Sequence, residues 1–60
     1  MDNRTKEHIK TLIKDLASSV SVLTWRIGYE TDNENINALT KAKETLTATI
    51  KQLKEIIKGE

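Results

Sequence analysis

The sequence predicts an all-α chain: two helices fold back on each other as an antiparallel hairpin, and two such hairpins assemble as a four-helix bundle. Three observations carry that expectation. Apolar residues recur at alternating steps of three and four in both halves of the chain, the spacing of a helix that buries one face. Proline is absent and the two glycines stand at 28 and 59, so helix breakers occur only near the middle and the end. Sixty residues without a cysteine make too small a core to be stable alone, and no disulfide can reinforce it.

The first helix is expected over residues 3–28. Ile9, Ile13, Leu16, Val20, Leu23 and Ile27 form its stripe, because steps of three and four return to the same side of a helix that turns every ~3.6 residues. Gly28 then offers the left-handed conformation that ends a helix, with Tyr29 placed to pack back on the last turn.

The turn is expected over about 28–31. Thr31-Asp32-Asn33-Glu34 reads as a capping box that opens a second helix over 32–58, with acids at its positive end. Ile36, Leu39, Lys43, Leu46, Ile50, Leu53 and Ile57 repeat the stripe there, and Lys43 is its charged member. So short a connection makes the helices antiparallel neighbours, with facing positions whose numbers sum to about 59. Leu16 then meets Lys43, although a slip of half a heptad would keep most apolar pairs.

Labelling the stripes a and d shows what flanks them. A two-stranded coil charges its e and g positions. Here they include Leu12, Ala17, Ser19 and Thr24 on the first helix, and Thr40, Ala42, Thr47, Thr49 and Ile56 on the second. Small and apolar flanks widen the stripe to the face that a bundle helix buries. Leu12 and Ile56 therefore join the apolar stripe residues in the expected oligomer core. A homodimer is the expected assembly, with higher even-numbered forms open.

Composition narrows the functional classes. A net charge of +1 argues against a chain devoted to gripping a nucleic-acid backbone. His8 is the only histidine, so one chain cannot complete a zinc site of the usual ligands. The uncharged run Leu16 to Trp25 is about half of the ~20 residues that cross a membrane. The polar start has no signal-peptide pattern, and a cytoplasmic protein that avoids membranes is expected. Abundant Lys, Ile, Asn and Thr suit an AT-rich coding genome, that of a low-GC bacterium or its phage.

Catalysis finds little support. There is no cysteine nucleophile or glycine-rich phosphate loop, and Ser18, Ser19 and Ser21 lack a spacing that brings His8 within reach. Glu30, Asp32 and Glu34 read as helix-start acids. The expectation is a non-enzymatic binding protein with no cofactor.

Three features offer binding surfaces. Val22, Trp25 and Tyr29 recur at steps of three and four and lie opposite the a/d stripe. Trp25 and Tyr29, with Arg26 beside them in sequence, suit a hot spot that grips a peptide or stacks on a base. Lys43 either sets register or contacts a phosphate. Lys6, Lys10 and Lys14, with Lys51, Lys54 and Lys58, form basic rows far from the turn, most simply a solvated face.

The segment Asn37-Ala38-Leu39-Thr40-Lys41-Ala42-Lys43-Glu44-Thr45-Leu46, followed by Ile50, resembles a helix of the small phage proteins that sequester cyclic-nucleotide immune signals, the anti-CBASS sponges. Glu34, Asn35 and Ile36 stand where that family tends to carry a basic residue. The resemblance implies a short helical hairpin that assembles and traps a nucleotide between protomers. Thr40 would contribute to that pocket, and Lys43, Arg26, Trp25 and Tyr29 are its further candidates.

The leading expectation is a phage or bacterial inhibitor or adaptor that contacts a host or phage protein through its Trp25/Tyr29 face. A nucleotide sponge is the alternative. A Rop-like regulator that binds structured RNA is the third.

Overall fold

The computed structural model describes residues 1–59, and within them the chain is two helices and a short turn. Helix α1 spans Asn3–Tyr29 and helix α2 spans Asn33–Lys58. Each starts on an aspartate. The Asp2 carboxylate accepts the Thr5 N–H at 2.7 Å, and the Asp32 carboxylate accepts those of Glu34 and Asn35 at 2.8 and 3.1 Å. These bonds satisfy amides that a helix start leaves without intrahelical partners.

The turn differs from the sequence expectation in two ways. Gly28 stays helical and no glycine takes a positive φ, so α1 continues to Tyr29 and is capped by Glu30 in extended conformation, φ −83° and ψ 140°. The N-cap of α2 is Asp32, not Thr31. Glu30 explains both changes, because its carboxylate accepts the Thr31 and Asp32 N–H groups at 3.0 and 3.2 Å. The backbone is thus held in a turn by a side chain, and no left-handed residue is needed.

That extra helical residue moves the register. The turn runs between Tyr29 and Asn33, and facing positions sum to about 66 instead of about 59, the half-heptad slip that keeps stripe on stripe. The grooves between the helices agree. Leu46 lies with Ser18, Ser19, Val22 and Leu23, all beyond the Ile13 that the other register would set against it. Leu39 lies with Arg26 and Glu30. Leu46 is therefore level with Val20 and Lys43 with Leu23.

Every a and d residue from Ile9 to Ile27 and from Ile36 to Ile57 is half-buried, Lys43 included. No described residue is fully buried. Two helices can shield a single seam but cannot enclose it, and the hairpin is a slab of 45 × 15 × 11 Å. Among the described residues no helix is long and apolar enough to cross a membrane.

The capping carboxyls have a pH signature. The Thr5 amide holds Asp2 below its ordinary value of 3.8; the Asp32 and Thr31 amides hold Glu30 below 4.5. A depressed carboxylate stabilises the folded state above its unfolded pKa, and that contribution is lost as pH falls through the folded value. The melting temperature should therefore drop on acidification below those ordinary values. Asp2→Asn with Glu30→Gln should flatten that drop. Superimposable acid profiles for the parent and the double variant would show that the caps do not titrate with folding.

Candidate partner-binding face

Val22, Trp25 and Tyr29 stand on the side of α1 turned away from α2, because steps of three and four from Val22 keep to one helix face. Their exposures are 64%, 64% and 69%. The Trp25 and Tyr29 ring centroids lie 4.8 Å apart, with the planes tilted by 52°, within the range of favourable aromatic pairs. Continuation of the helix through Gly28 creates this pair. Had the chain turned there, Tyr29 would have left the i, i+4 relation that sets its ring against Trp25. A side chain at Gly28 would meet nothing within 4 Å, so the surface beside the rings is open.

Arg26 lies elsewhere. It lines a shallow groove near the turn with Glu30, Asn35, Ala38 and Leu39, on the lateral side of the hairpin. Its positive charge contributes weakly to holding Glu30 ionised, after the two backbone N–H groups. Val22 reaches both surfaces, because it also borders the groove formed with Ser18, Ser19, Leu23 and Leu46.

Thr40 and Lys43 lie together on α2, in a groove shared with Glu44, Thr47, Ala48 and Lys51. Both are half-buried. Among the described residues, neither the Thr40 hydroxyl nor the Lys43 ammonium has a hydrogen-bond or ion-pair partner. Neighbouring hydroxyls differ: Thr47 donates to the Lys43 carbonyl at 2.9 Å and Thr45 to that of Lys41 at 3.0 Å. The structure thus gives the sequence candidates three places: the aromatics on the outer face of α1, Arg26 beside the turn, and Thr40 with Lys43 on α2.

Antiparallel pairing also sorts the flanks, which the sequence stripes leave unsorted. Helices of one hand that run in opposite directions put g positions beside g and e beside e. The grooves show it, since Arg26 and Asn35, both g, meet in one of them. Leu12 and Ile56 consequently share one side of the hairpin, at 46% and 48% exposure. The two lysine rows share the other. Lys10 is paired there with Glu7 at 3.5 Å, an exposed contact of small energetic weight.

No family model matches the chain, and neither do curated proteins or solved structures.

Proposed function

We propose that the protein is a non-catalytic binding protein that works as a dimer of hairpins and captures a partner protein on the Val22/Trp25/Tyr29 face, as an inhibitor or adaptor. The observation that carries this reading is the exposed aromatic pair, at 64% and 69%. Tryptophan and tyrosine dominate protein hot spots because each supplies large apolar area with few torsions to freeze. Dimerisation supplies the enclosure that one hairpin lacks, since no described residue is buried.

Trp25 is the chain's only tryptophan and therefore reports on its own face. Partner binding should shift its fluorescence to the blue as water is excluded. Trp25→Ala should leave the chain helical and dimeric while costing at least ~2 kcal/mol of binding, roughly thirtyfold in Kd. A partner that binds Trp25→Ala as tightly as the parent would remove the aromatic face from consideration.

One observation favours a second reading. Thr40 and Lys43 offer an unused hydroxyl and an unused ammonium in one groove, the chemistry an anionic nucleotide needs from its host. In that reading, which also draws on the sponge-like segment 37–46, the ligand occupies this groove.

A further inference from the structure

We infer that the second copy docks on the side of the hairpin that carries Leu12 and Ile56, with its turn at the opposite end of the dimer. The inference rests on the dimer reading above and assigns its surface and direction. Its starting point is area. The chain exposes 4802 Å², whereas a compact monomer of 6.8 kDa would expose about 4,000 Å². The excess, roughly 800 Å², is what one partner contributes to an interface of standard size.

The two lateral sides are not equivalent hosts for that area. On the g side, Leu12 and Ile56 remain about half exposed, and Ser19, Ala42 and Thr49 complete the rows. Its hydroxyls are already satisfied: Ser19 donates to the Asp15 carbonyl at 3.3 Å and Thr49 to the Thr45 carbonyl at 2.9 Å. Covering them leaves no donor stranded. Charge reaches this side at the turn, through Arg26 and Glu30, and at one further point, Asp15 at the outer edge beside Leu12 and Ser19. The e side carries Lys10 and Lys54, with Lys6, Lys14, Lys51 and Lys58 around them and only Glu7 and Glu44 to offset them. Two e sides face to face would crowd like charges and desolvate them.

Direction follows from the charge along the slab. The turn carries Glu30, Asp32 and Glu34, and residues 28–35 hold no base. The open end carries the lysine rows. A copy with its turn at the same end would set acids on acids and bases on bases. Reversed, the turns are separated and each lies at the end whose lysines stand on the far side of the slab, so repulsion is relieved and only a long-range attraction remains.

The absence of native cysteine makes a direct test available. A spin label on Thr31→Cys marks the turn. Opposed turns place the two labels apart by nearly the 45 Å length of the slab; turns at one end place them within about 20 Å, two helix spacings. Alongside, Ala42→Glu on the g side should weaken self-association at least tenfold, read as mass by sedimentation or as concentration-dependent helicity, while Thr47→Glu on the e side should leave it unchanged. The short label distance, or dissociation by Thr47→Glu and not by Ala42→Glu, overturns the assignment while the dimer stands. A parent chain that stays monomeric and helical at micromolar concentration removes the dimer itself.

Discussion

Leu46→Asp is expected to unfold the chain at concentrations where the parent is fully helical. Leu46 is half-buried in the seam, beside Ser19 and Leu23 and level with Val20. Removing a buried leucine forfeits about 2–3 kcal/mol of transfer free energy, and a carboxylate set among apolar neighbours adds a desolvation cost. A core of this size rarely supplies more than about 3–5 kcal/mol in total. The substitution therefore consumes the whole reserve. Leu46→Met, which keeps volume and polarity, should cost under about 1.5 kcal/mol and retain the fold. Far-UV circular dichroism with thermal melts at several concentrations measures both. A cooperative, helical Leu46→Asp variant would mean that the seam is not the core.

Lys43→Met is expected to have a large effect of opposite sign. Lys43 occupies an a position, is half-buried and has no ion-pair partner among the described residues. It lines the e-side groove with Thr47 and Lys51, open to solvent, where a lysine head can stay in water while its stem covers apolar surface. Replacing it with an apolar chain of similar length should raise stability by about 1–2 kcal/mol, near the lower range for burying a methionine side chain. For a chain of this size that is a shift of several degrees in Tm.

A lone polar residue at an a position also selects among assemblies, so the same variant should broaden the distribution of oligomers. It discriminates the two functional readings as well. In the nucleotide reading, a bound nucleotide raises the melting temperature of the parent, and Lys43→Met abolishes that rise even as its ligand-free form melts later. Lower stability in the ligand-free Lys43→Met variant would show that the ammonium has a stabilising partner.

The stripes are legible because they are local. Ile9 to Ile27 and Ile36 to Ile57 repeat at the helical period, and each of those residues proves half-buried. Lys43 could be identified as the odd member for the same reason. Opposition of Val22, Trp25 and Tyr29 to the stripe also follows from 100° per residue alone. The turn was less legible. Gly28 competes between two roles, and a capping box at Thr31 competes with one aspartate that caps by itself. Glu30 decides the matter by taking the Thr31 and Asp32 amides, an interaction without sequence periodicity.

The number of helices, the face each buries and the residues left on the outside were therefore readable from the chain alone. These are properties of a single helix, set by repeats over three and four residues. The register and the sides came from the folded hairpin: Leu46 level with Val20, Leu12 on the same side as Ile56, both lysine rows together and Arg26 apart from the aromatic face. The physical reason is that each relation depends on how many residues the turn consumes and on the direction of the returning helix. One more helical residue at Tyr29 slides every facing pair, whereas it leaves the periodicity of each helix untouched.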